Sequence, residues 1–142
     1  GKVSAEARQL MEVTRESFWK GIAQAKAGNR VRDIGHAVQQ YVESFGYGVV
    51  RDFVGHGVGR QMHEPPEVPN YGPGGHGPRL MPGMVIALEP MVCAGDWRGK
   101  GLGDNWTTVS VDGSLTAHYE NTILITEGEP EILTDPGEGY EL

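Results

Sequence analysis

The sequence predicts an α+β domain in which two helices pack on a mainly antiparallel sheet. Three observations predict it. Apolar residues recur at helical spacing through the first third of the chain, short apolar runs separated by Gly and Pro turns follow Gly48, and those runs come consecutively instead of alternating with helices. The 142 residues amount to a single domain, and 38% hydrophobic residues suffice for a core.

The first helix is expected over about residues 4–27. Leu10, Met11, Thr14, Phe18, Ile22 and Ala25 form its stripe behind a Ser4 cap, Glu6 lies in its first turn, and Gly28 is placed to end it. Ile34, Ala37, Val38, Tyr41, Val42 and Phe45 make a second stripe over about 31–46, closed by Gly46. Trp19 and His36 belong to these packing faces. A sheet is expected over about 48–133. Val49 to Val54 reads as a strand delivering His56, and Pro65 to Pro82 as a Pro/Gly-dense connection containing Pro69-Asn70-Tyr71-Gly72 and bordering a site. Met84 to Val92 reads as a strand, Trp106 to Val111 and Leu115 to Ile125 as a hairpin around Asp112-Gly113-Ser114, and Glu131 to Leu133 as a last strand. An acidic tail, 134–142, completes the one domain, 1–142.

Charge is unevenly placed. Residues 1–50 hold seven Lys/Arg against five Asp/Glu, whereas residues 51–142 hold five against fourteen. The acidic part suits a cation or an amine and argues against nucleic acid, whose phosphates need a basic face. No apolar run approaches the roughly 20 residues that span a bilayer, so no membrane partner is expected. The N-terminus lacks an apolar signal core, and the single cysteine, Cys93, excludes an internal disulfide. A cytoplasmic protein is the expectation.

The chemistry concentrates in Gly55-His56-Gly57-Val58-Gly59-Arg60-Gln61-Met62-His63-Glu64. Two histidines seven residues apart, the first held between glycines, read as a metal ligand and a catalytic partner. Glu89 stands alone in an otherwise apolar run, Met84 to Val92, where an ionised carboxylate is costly without a cation. Metal ligation, an arginine partner or a protonated carboxyl would each answer that cost. Strand alternation puts His118, Glu120 and Thr122 on one face, which is either a solvated sheet face or an equipped one. His56, Glu89 and Glu120 then stand on three strands, and a mixed imidazole and carboxylate set suits Mn, Fe, Co or Zn.

These residues resemble the bacterial-type methionine aminopeptidases, metallopeptidases of the pita-bread fold. The markers are Gly55-His56-Gly57-Val58-Gly59 with His63-Glu64, Pro82-Gly83-Met84 leading to Leu88-Glu89-Pro90-Met91, Trp106-Thr107, and His118-Tyr119-Glu120-Asn121-Thr122. The resemblance implies that His56, Glu89 and Glu120 bind metal. It makes Glu89 a proton shuttle as well, and His63 the histidine that contacts substrate and steadies the tetrahedral intermediate. Met62 and Trp106 fall at positions lining the methionine pocket, and His118 stands where the family commonly has glutamine. The implied reaction removes the initiator methionine from a nascent polypeptide, using divalent ions that acidify water and polarise the scissile carbonyl.

The resemblance covers one half of a pseudo-symmetric fold, the C-terminal one. The family site is dinuclear, and two of its five protein ligands are aspartates from the other half; neither can be assigned here. Two divalent ions bring about +4, which Glu89 and Glu120 offset by only about −2. One ion or none is therefore expected in this chain alone, with weak or no activity. Its partners are expected to be a peptide N-terminus beginning with Met and either the complementary half or a second copy joined through an exposed sheet edge. A proline-specific aminopeptidase and a non-catalytic peptide-binding module of the same fold are the competing readings.

Overall fold

In the computed structural model the described residues are 5–51, 55–58, 64–94, 99–101, 108–110 and 115–134. The α+β expectation holds. Helix α1 spans Ala5–Ile22 and α2 spans Val31–Glu43. The strands are β1 Gly48–Val49, β2 Gly55–Gly57, β3 Glu64–Val68, β4 Val85–Leu88, β5 Met91–Cys93, β6 Gly99–Gly101, β7 Thr108–Ser110, β8 Thr116–His118, β9 Asn121–Leu124 and β10 Glu131–Ile132. Among the described residues no helix is long and apolar enough to cross a membrane.

Helix α1 buries Ala7, Leu10, Val13, Thr14, Ser17, Phe18, Gly21 and Ile22, the face its periodicity predicts. The buried hydroxyls are satisfied within the helix: Thr14 Oγ1 donates to the Leu10 carbonyl at 2.7 Å and Ser17 Oγ to the Thr14 carbonyl at 2.6 Å. The helix ends at Ile22 instead of about residue 27. Tertiary pairing takes over there. The Gly28 N–H bonds the Leu80 carbonyl, the Leu80 N–H bonds the Asn29 carbonyl, and the intervening turn carries Ala25 into the core. Trp19 leaves the packing face and is 40% exposed, its ring edge-on to Phe18.

Helix α2 opens with the Arg30 N–H donating to Asp33 Oδ2 at 2.7 Å, which satisfies a donor that the helix leaves over. The backbone donors of Arg30 and Gly75 hold the Asp33 carboxyl below its usual range. Ile34, Val38 and Val42 are buried as expected. Phe45 is not: it lies past the helix end, 43% exposed, against the rings of Tyr41 and Tyr47.

Among the described residues every strand pair is antiparallel, within a five-stranded sheet of order β10-β9-β4-β2-β3, a three-stranded sheet β1-β5-β8 and a ribbon β6-β7. One core cluster joins Phe18, Ile34, Leu80, Ile86, Leu88, Tyr119 and Ile123; a second joins Leu10, Val38, Val42, Val92 and Ala117. Each lies between a helix pair and one sheet.

Five strand expectations change, the first being that Leu115 to Ile125 divides into β8 and β9, which lie in different sheets. Val49 to Val54 is not one strand, since β1 and β2 lie in different sheets, with residues 52–54 outside the described part. Met84 to Val92 divides into β4 and β5. The connection from Pro65 to Pro82 opens with β3, whose edge position tolerates Pro65 and Pro66, which have no N–H to donate. The strand at Thr108–Ser110 pairs with β6, while the expected turn at 112–114 lies outside the described residues.

Candidate metal centre

Two strand breaks build the site. The chain leaves the five-stranded sheet after Leu88, passes through Glu89-Pro90 and enters the three-stranded sheet at Met91; it returns through Tyr119-Glu120 between His118 and Asn121. Leu88 pairs with Asn121 and Met91 with His118, so the breaks lie side by side. Pro90 has no N–H with which to continue a ladder, and its carbonyl accepts the Tyr119 N–H at 3.1 Å. Glu89 is therefore half-buried at a crossing between sheets, not in the middle of a strand buried on both faces. Through the second break the alternation continues: Ala117, Tyr119, Asn121, Ile123 and Ile125 are buried, while His118 and Thr122 are half-exposed and Glu120 is exposed. The Tyr119 ring meets Phe18 of α1 with centroids 5.0 Å apart, anchoring this break to the first helix.

The two carboxyls meet. Burial, then the charge of Glu120, then a hydrogen bond with its side chain push Glu89 up to about 7. A protonated Glu89 carboxyl can donate to the Glu120 side chain. Burial lowers the His118 pKa, and the Glu120 charge works in the opposite direction. Glu89, Glu120 and His118, three residues singled out by their chemistry, are thus brought together.

His56 reaches the same region by register. It pairs with Ala87 of β4, which also pairs with Thr122 of β9, forming one row across three adjacent strands. Glu89 and Glu120 lie two residues beyond that row in the same direction, since β4 and β9 are antiparallel. The register of β2 against β3 shifts between His56 and Gly57. Gly55 is required by close approach: a Cβ there would lie 2.1 Å from the Ala87 carbonyl oxygen.

Of His56 only the backbone is described, and His63, Met62 and Trp106 lie outside the described residues. Among the described residues no group of three or more His, Cys, Asp or Glu side chains is arranged to hold a metal ion. The carboxylate pair nonetheless fits one. Two acidic groups in contact at a partly buried crossing either share a proton or share a cation, and their hard oxygens suit a divalent ion. Asn70, in the connection expected to border a site, also reaches this one, donating its side-chain amide to the Glu89 carbonyl at 3.1 Å.

The profile of metallopeptidase family M24 matches residues 1–127. A methionine aminopeptidase of Clostridium acetobutylicum is 60% identical over 134 residues, which are 94% of this chain and 54% of that protein. The chain spans about half the length of the curated relatives it matches. The crystal structure of a methionine aminopeptidase from Thermotoga maritima superposes with a TM-score of 0.88 at 52% identity, covering 94% of this chain and 53% of that one. A prolidase from Pyrococcus furiosus superposes with a TM-score of 0.70 at 25% identity, covering 95% of this chain and 34% of its own. The α+β architecture is accordingly that of one half of the pita-bread fold, and the chain belongs to metallopeptidase family M24.

Proposed function

We propose that residues 1–142 supply the C-terminal half of a metal-dependent methionine aminopeptidase site, which removes the initiator methionine from nascent polypeptides in the cytoplasm. The observation that carries this reading is the Glu89–Glu120 contact at paired strand breaks. Identity of 60% to a methionine aminopeptidase, against 25% to a prolidase, favours methionine over a proline-specific substrate. The complementary half is the part of the relatives' fold that lies outside these residues, whether on the same polypeptide or another. Self-association is the weaker reading, because the β3 edge carries Pro65 and Pro66 and pairs poorly with a second strand.

In this reading His56, Glu89 and Glu120 hold a divalent ion: Co, Mn, Fe or Zn. When bound, it supplies Lewis acidity that activates water and polarises the scissile carbonyl. Glu89 takes the proton from the attacking water and delivers it to the departing amine. His63 donates to the oxygen that gains charge. Met62, Trp106 and His118 bound the methionine side chain, with His118 adding a polar group beside Glu120. Two carboxylates balance one ion, so a second ion and full activity require further carboxylates from the complementary half.

Hydrolysis of Met-Ala and Ala-Pro peptides by the assembled protein tests the assignment. Methionine release that depends on added cobalt or manganese is expected, with Ala-Pro left intact. Preferential cleavage of Ala-Pro would move the function to the proline-specific class, and a folded assembly that binds ion but cleaves neither peptide would leave only peptide binding.

A further inference from the structure

We propose that Asn70 is a positioning residue for this centre, fixing the peptide at which the chain crosses between sheets and with it the direction in which Glu89 presents its carboxyl. This inference rests on the reading of Glu89 as a metal ligand. Both peptide planes after Glu89 are held from outside their own strand. The Glu89 carbonyl accepts from Asn70 Nδ2 at 3.1 Å, and the Pro90 carbonyl accepts from the Tyr119 N–H at 3.1 Å. Proline locks its own φ and restricts the residue before it, so with these two bonds made, little freedom remains at the Glu89 backbone.

Asn70 is itself rigidly seated. It is fully buried, between Pro69 and Tyr71 in the loop that leaves β3. That loop lies directly on α2 at Gly35, where a Cβ would come within 2.3 Å of the Pro69 carbonyl oxygen and 2.8 Å of the Tyr71 nitrogen. One face of α2 then clips the rest of the loop: Gln39 Oε1 accepts the Gly72 N–H and Asp33 Oδ1 accepts the Gly75 N–H, both at 2.7 Å. A rigid helix thus holds a loop, the loop holds an amide, and the amide holds the backbone of a ligand. Partners one step behind a ligand commonly set its orientation, and their loss costs roughly 10–100-fold in metal affinity.

The test compares Asn70→Leu, which keeps the branched shape and removes the donor, with Asn70→Ala, Glu89→Gln and Val13→Ala in the assembled protein. Cobalt binding is followed by calorimetry and by the visible spectrum of the bound ion. Both Asn70 variants are expected to bind cobalt roughly 10–100-fold more weakly, with an altered spectrum. Val13→Ala, a core truncation in α1, is expected to bind normally despite lower stability. Wild-type affinity and spectrum in an Asn70 variant, with Glu89→Gln unable to bind, would overturn the positioning role alone. Wild-type binding by Glu89→Gln would overturn the ligand reading, and the proposal with it. Equal weakening in Val13→Ala would reduce the effect to general destabilisation and overturn the proposal too. Should Asn70→Leu fail to fold, Asn70→Ala, which adds no volume, carries the comparison.

Discussion

Replacing Glu89 by glutamine is expected to lower kcat/KM for methionine release from a Met-Ala peptide by at least about 10³. A positioned acid–base group alone contributes roughly 10²–10⁴, and in the proposed site the same carboxyl also holds the ion. The substitution leaves the scaffold in place. Asn70 still donates to the carbonyl of residue 89, Pro90 still accepts from Tyr119, and Leu88 and Met91 keep their partners across the two sheets. The glutamine amide can also donate to Glu120 in place of the protonated carboxyl. Loss of activity should therefore come with a retained circular dichroism spectrum and, at pH 4.5, where the Glu89 carboxyl is protonated, a retained metal-free thermal midpoint. Activity within tenfold of the unchanged protein would remove Glu89 from the chemistry.

The second large effect is on stability, and its sign follows from the same pair. A Glu89 carboxyl pushed up to about 7 from 4.5 means that between those values the folded protein holds a proton that the unfolded chain releases. Its contribution is fully present below the unfolded value, falls as pH rises through the window, and is lost above about 7. With metal chelated, raising the pH from 4.5 to 8 is expected to cost at most about 3 kcal/mol from this group, reduced by solvent screening at a half-buried site. His118 works in the opposite sense. Its lowered pKa gives a contribution that is present above 6.5 and declines as the pH falls below that value. Because Glu89→Gln keeps His118, the difference between wild type and variant isolates the carboxyl. Urea denaturation of the chelated proteins at several pH values should show the wild type losing stability relative to the variant as pH rises. Parallel curves would mean that the carboxyl pair is not strained in the metal-free protein.

The helices were legible because one physical rule governs their buried face: Leu10, Phe18, Ile22, Ile34, Val38 and Val42 all sit where the periodicity put them. Their ends were less so. The stop after Ile22 depends on backbone pairing with Leu80, more than fifty residues away in sequence, which no local pattern reports. Strand divisions failed for a related reason. Leu88 and Val92 are both fully buried, so the run reads as continuous although its halves face different sheets; Pro90 was the one local sign. At Tyr119-Glu120 even that sign is missing, since the buried and outward positions alternate straight through the break. The ribbon strand Gly99–Gly101 carries two glycines and none of the β-branched residues that mark a strand.

The carboxylates were legible from cost: an acid in an apolar run demands an explanation, and Glu89 has one in Glu120. Strand alternation also gave the correct side of the chain for Glu120, although the strand itself is interrupted. Asn70 carried no such signal. The connection containing Pro69-Asn70-Tyr71-Gly72 reads as bordering a site, but nothing in it singles out Asn70, and only the fold brings its amide to the Glu89 carbonyl, nineteen positions along the chain.

The central claim is that this carboxylate pair exists to share a cation, with His56 as the third donor. Anomalous diffraction at the manganese edge, from crystals of the assembled protein grown with the ion, tests it most directly. The account predicts a peak bonded to Glu89, Glu120 and the His56 imidazole, with the direct contact between the two carboxyls opened. A protein that gives no peak at that position, and in which Glu89 remains hydrogen-bonded to Glu120 at saturating manganese, would contradict it.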